Sequence, residues 1–118
     1  IHFDGVYSGF LGSEKQIDIV SDFAAKCKKN NSKCLFLVDP VMGDDGVKYK
    51  TYTDKMCLLM RDLIQHADVI TPNFTEACIL TDEEYCEFPD ETKQKTVIEK
   101  LKGYIWKSIQ FRQGGISI

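Results

Sequence analysis

The feature that most restricts the fold is an unbroken apolar run, Cys34-Leu35-Phe36-Leu37-Val38, that stops at Asp39-Pro40. A run this short, preceded by the polar stretch Asn30 to Lys33 and closed by a proline, reads as a strand covered on both faces, the environment of a parallel sheet between helices. The flanking pattern agrees. Upstream, Asp4 to Phe10 is β-compatible, and Ser13-Glu14-Lys15-Gln16 has the spacing of a capping box. Ile17, Val20, Phe23, Ala24 and Cys27 then recur at three and four, which predicts a helix, with Lys26, Lys28 and Lys29 as its solvated, dipole-matched end. Downstream, Thr53-Asp54 caps a helix carrying Met56, Leu59, Met60, Leu63 and Ile64 on one face. Ala67 to Thr71 reads as a strand stopped by Pro72, Thr75 to Thr81 as a short helix, and Asp90 to Gly103 as another helix. Ile105 to Phe111 is a candidate fourth strand. Strands alternating with helices at these distances predict an α/β fold, a mainly parallel sheet with helices on both faces.

Composition narrows the function. With 118 residues, 43% of them apolar, the chain can bury a core. A formal charge of -3 gives no broad positive field to hold nucleic acid or an anionic membrane, and no apolar run approaches the roughly 18 residues of a membrane span. A small-molecule partner fits better. Five cysteines, an odd number without a C-x-x-C pair, read as free thiols suited to a reducing cytoplasm. His2 and His66 have no spacing that makes them a ligand pair.

In open parallel sheets, ligands bind beyond the carboxyl ends of the strands. Three segments of chemical interest fall there. Val38 to Asp44 places Asp39 and Asp44 near one mouth, where two acids call for a cation between them, although Asp44-Asp45-Gly46 is equally readable as a surface turn. Val69 to Glu76 puts Asn73 and Glu76 on one face of a helix start, where phosphate oxygens are favoured; the alternative is simple capping by Asn73 or Thr75. Tyr7 to Ser13 sets Phe10 between glycines, as a ring to stack on a flat ligand or as core.

The order S-G-F-L-G-S, D-P-V-M-G-D-x-G-x-x-Y (Asp39 to Tyr49) and A-D-V-I-T-P-N-x-T-E-A (Ala67 to Ala77) resembles the pyridoxal kinases of the ribokinase-like superfamily, over roughly residues 3 to 102. The resemblance implies ATP-dependent phosphorylation of pyridoxal and related B6 vitamers at the 5'-hydroxymethyl group. It places Asp39, Asp44, Tyr49, Thr71 and Glu76 at ATP, Asp39, Asn73 and Glu76 around magnesium, and Phe10 at the vitamin. It also implies a cytoplasmic homodimer for the complete protein. The Gly-rich G-x-G-D segment that carries the family's catalytic aspartate has no match here, because Gly114-Gly115 runs into Ile-Ser-Ile. Residues 1–118 therefore read as part of a single ribokinase-like domain, lacking its N-terminal strands and its catalytic segment and inactive alone. Hydroxymethylpyrimidine kinases share D-P-V-M and T-P-N-x-x-E, but the continuation Gly43 to Tyr49 is more similar to the pyridoxal enzymes. A non-catalytic nucleotide-binding module is the alternative from another class.

Overall fold

The computed structural model describes residues 2–105 and 108–109. The elements follow in the order β1 (Gly5–Ser8), α1 (Glu14–Asn30), β2 (Leu35–Val38), β3 (Gly43–Asp44), β4 (Val47–Lys48), α2 (Asp54–Ile64), β5 (Val69–Ile70), α3 (Phe74–Thr81), α4 (Glu91–Lys102) and β6 (Ser108–Ile109). Four strands form one parallel sheet in the order β1-β2-β5-β6, while β3 and β4 pair antiparallel as a separate hairpin. The expected α/β architecture and all four sheet strands are present. Of the fourth strand, positions 106, 107, 110 and 111 lie outside the described residues.

Helix starts form where the sequence supplies an oxygen for orphan amides. Thr53 Oγ1 accepts from Met56 N–H at 3.1 Å, and Asp90 Oδ1 accepts from Lys93 N–H at 2.8 Å. At α1 the capping box is displaced by one residue. Ser13 Oγ accepts from Gln16 N–H as expected, but Gln16 Oε1 takes the amide of Gly12, at 2.7 Å, rather than that of Ser13. Each such cap contributes about 1 kcal/mol.

Phe36, Val38 and Ile70 of the sheet share one buried cluster with Ile17 and Ala24 of α1, Met60, Leu63 and Ile64 of α2, Leu80 of α3 and Leu101 of α4. The residues that alternate with them behave differently. Tyr7 and Leu35 are exposed and Leu37 is half-buried, so β2 is packed fully on one face, not on both as its apolar run implies. Period-two alternation decides which side chains meet the helices, and an all-apolar run hides that alternation.

The amino end of the sheet is fixed by a tie that the lysine pattern does not reveal. Asp68, buried just ahead of β5, accepts from Phe36 N–H at 2.7 Å and from Lys28 Nζ at 2.6 Å through the same oxygen. Its own amide donates to the Phe36 carbonyl, and Lys28 also donates to the Cys34 carbonyl. The reading of Lys28 as a solvated helix end is thus corrected: a buried carboxylate beside β2 demands a cation, and α1 delivers one. Lys28 remains partly exposed, which screens the pair and leaves most of the value with the buried backbone bond.

Asp68→Ala is expected to lower the unfolding free energy of the full-length protein by about 2–3 kcal/mol, and Asp68→Asn by less, because the amide oxygen can still accept from Phe36. Urea denaturation measures both; equal stability of Asp68→Ala and the parent would show that the tie contributes nothing.

Candidate active site

The three segments singled out in the sequence lie side by side because their strands do. The sheet ladder continues past the strand ends, with Asp39 N–H donating to the Ser8 carbonyl at 2.9 Å and Thr71 N–H to the Val38 carbonyl at 3.1 Å. The loops after β1, β2 and β5 therefore leave one edge together.

In the loop after β2, Asp39 is 8% exposed and Met42 is fully buried. The chain then turns back on itself through Asp45 (φ 49°) and Gly46 (φ 79°), with Gly43 opposite Lys48 and Asp44 opposite Val47. Asp-Gly supplies the two left-handed residues that a two-residue hairpin turn requires. The surface-turn reading of Asp44-Asp45-Gly46 is correct at this level, and the strands flanking it are too short to stand out as a pattern. Asp44 is exposed, with Oδ1 accepting the Asp45 amide. Tyr49 follows the hairpin, partly exposed, its amide on the Met42 carbonyl.

After β5, Thr71 is half-buried and Asn73 caps α3. Asn73 Oδ1 accepts from Glu76 N–H and Glu76 Oε1 accepts from Asn73 N–H, both at 2.8 Å, a complete capping box. The second Glu76 oxygen crosses to the neighbouring loop and accepts from Met42 N–H at 2.9 Å, while Asn73 Nδ2 donates to the Gly43 carbonyl at 3.0 Å. Glu76 is completely buried. Its charge is held there by backbone amides at the positive end of a helix. The same charge stands near Tyr52, a buried residue whose phenol is pushed above its usual range by burial and by the proximity of Cys57 and Glu76.

This geometry bears on magnesium. Both side-chain polar atoms of Asn73 and both oxygens of Glu76 are engaged by the backbone. Among the described residues no group of three or more His, Cys, Asp or Glu side chains could hold a metal ion. Asn73 and Glu76 thus spend these contacts on backbone groups, and a hydrated cation would reach them through its water. They brace the two loops against each other.

At the end of β1, Phe10 is 56% exposed beside Gly12, where a solvent-facing ring can meet a flat ligand. Ser8 Oγ, buried at the same strand end, has no hydrogen-bond partner among the described residues. Two contacts at the hairpin tip have no signal in the sequence. Thr75 Oγ1 accepts from Gly46 N–H at 2.9 Å, and the Tyr85 ring packs over Gly46. The Asp-Gly turn was a signal that a hairpin tip existed there, but nothing local indicates what holds it.

Glu76→Gln should destabilise the full-length protein by about 1–3 kcal/mol, because the amide group turns a donor toward one of two buried N–H groups that the carboxylate satisfies. A denaturation midpoint equal to that of the parent would contradict the brace.

The phosphomethylpyrimidine kinase family model matches residues 1–115. A Schizosaccharomyces pombe protein provisionally named a pyridoxal kinase is 40% identical over 83 residues, covering 70% of this chain and 24% of that protein. A Bacteroides thetaiotaomicron structure, provisionally described as a phosphomethylpyrimidine kinase and solved in a form with pyridoxal, superimposes with a TM-score of 0.79 at 40% identity, covering 88% of this chain and 36% of that one. The Leishmania donovani pyridoxal kinase in complex with ADP and pyridoxamine does so with a TM-score of 0.73 at 28% identity, covering 86% of this chain and 35% of that one. The chain spans about a quarter of the length of the curated relatives it matches. With a family model that matches residues 1–115, nearly the whole of it, the chain belongs to the phosphomethylpyrimidine kinase family.

Proposed function

We propose that the protein phosphorylates pyridoxal or a related B6 vitamer at its 5'-hydroxymethyl group, using ATP. The observation that carries this reading is the brace between D-P-V-M-G-D and T-P-N-x-x-E: Glu76 on the Met42 amide and Asn73 on the Gly43 carbonyl hold two loops at one mouth. Transfer of a phosphoryl group needs little covalent help from a protein, so fixed placement of donor and acceptor supplies most of the acceleration. Asp39, Asp44, Tyr49, Thr71 and Glu76 are assigned to the nucleotide side of the mouth, Glu76 through the loop it holds. The amino end of α3 adds positive potential for phosphate oxygens. Phe10 is assigned to the vitamin ring.

Magnesium belongs to the proposal as a companion of the nucleotide, with Asp39, Asn73 and Glu76 assigned to its surroundings. The base that takes the hydroxyl proton is assigned to none of the described residues and is proposed to come from another segment of the complete domain. Five free thiols suit a reducing compartment such as the cytoplasm. No described helix is long and apolar enough to cross a membrane. Homodimerisation is part of the same proposal. A second reading, phosphorylation of a hydroxymethylpyrimidine, is favoured by the description of the matching family itself.

The two readings separate in a competition assay on the full-length protein with ATP and both rings. Pyridoxal is expected to show the higher kcat/KM, since discrimination requires contacts that differ in the transition state. Tyr49→Phe is expected to lower kcat for both rings. A preference for hydroxymethylpyrimidine would replace the pyridoxal reading with its rival.

A further inference from the structure

We propose that Tyr85 and Thr75 are positioning residues that latch the β3–β4 hairpin onto α3 and thereby set where Asp44 stands; the inference rests on the phosphotransferase reading above.

The hairpin cannot hold itself in place. Each strand has two residues, and a ribbon this short has no independent stability in water. It brings little apolar anchorage either, because Val47 is exposed and the remaining strand and turn residues are Gly43, Asp44, Asp45, Gly46 and Lys48. Lys48 reaches Asp54 at the start of α2, but that carboxylate is 97% exposed and the pair is screened by water. A cavity of about 520 Å³ borders the hairpin on this side, lined in part by Gly46, Lys48, Thr75 and Tyr85.

What remains is a set of contacts from α3 and the segment after it. Asn73 holds the base of the hairpin through the Gly43 carbonyl, and Thr75 holds its tip through the Gly46 amide. Over the tip lies the Tyr85 ring, so close that a methyl group on Gly46 would overlap it. Gly46 thus answers two demands at once, a left-handed turn and a ring pressed against the backbone. Tyr85 is itself steadied by Phe74, the first residue of α3, with ring centroids 5.8 Å apart at 45°. Burial and the charges of Asp45, Glu87 and Asp44 push its phenol up. Neither Tyr85 nor Thr75 belongs to the residues assigned to ATP or the vitamin. They act through the position of the hairpin.

The test uses Tyr85→Ala, Tyr85→Phe and Thr75→Val in the full-length protein, with amide hydrogen exchange and steady-state kinetics. In Tyr85→Ala, amides of residues 43–48 should exchange roughly tenfold faster while those of α1 and β2 keep their rates. The KM for ATP should rise roughly tenfold, well beyond any fall in kcat. Tyr85→Phe keeps the ring and should match the parent in both measurements, and Thr75→Val should fall between. Unchanged exchange over 43–48 in Tyr85→Ala overturns the latch, and so does a loosened hairpin with an unchanged KM. A parent protein that does not phosphorylate pyridoxal sinks the functional reading instead, and the exchange rates then decide whether the hairpin is latched.

Discussion

A carboxylate with no exposed surface is tolerable in a protein only where its charge is met by oriented donors, and Glu76 meets that condition with the amides of Asn73 and Met42. Because those donors sit on different loops, satisfying the charge and joining the loops are one event. The first amide closes the helix cap; the second, 34 positions away in sequence, fixes the chain leaving β2. The hairpin, Tyr49 and the path of Asp39 to Gly43 all take their places relative to α3 from this point.

The opposite end of the sheet uses the same device with a different partner. Asp68 accepts the Phe36 amide at the start of β2 as Glu76 accepts the Met42 amide beyond its end. One strand is thus held at both ends by buried acids from the β5–α3 segment. Asp68 is offset by a lysine from α1, whereas Glu76 relies on backbone dipoles. The difference follows from what lies nearby: α1 ends beside Asp68, and the amino end of α3 lies beside Glu76.

Much of this was legible in the residues. Caps at Thr53, Asn73 and Asp90, the periodicity of α2 and the strand stops at Asp39-Pro40 and Pro72 are local signals, and the local chain obeyed them. The candidate residues of the mouth were found by motif, and the capping alternative for Asn73 and Glu76 is realised in full. What escaped depends on contacts between distant segments. Nothing near Lys28 announces Asp68, forty positions away, and nothing near Gly46 announces Thr75 or Tyr85. The apolar run of β2 failed differently, because five apolar residues in a row carry no information about which of them face water.

The thiols divide sharply in this fold. Cys27, Cys34, Cys57 and Cys78 are buried, and burial raises the Cys34, Cys57 and Cys78 thiols above their ordinary range, Cys78 to about 11. At neutral pH those three stay protonated and react slowly with electrophiles. Cys86 alone among the five is exposed, and it directly follows Tyr85. Within residues 1–118 it is therefore the thiol most open to labelling, and an environment-sensitive fluorophore there would sit beside the residue whose ring covers the hairpin tip.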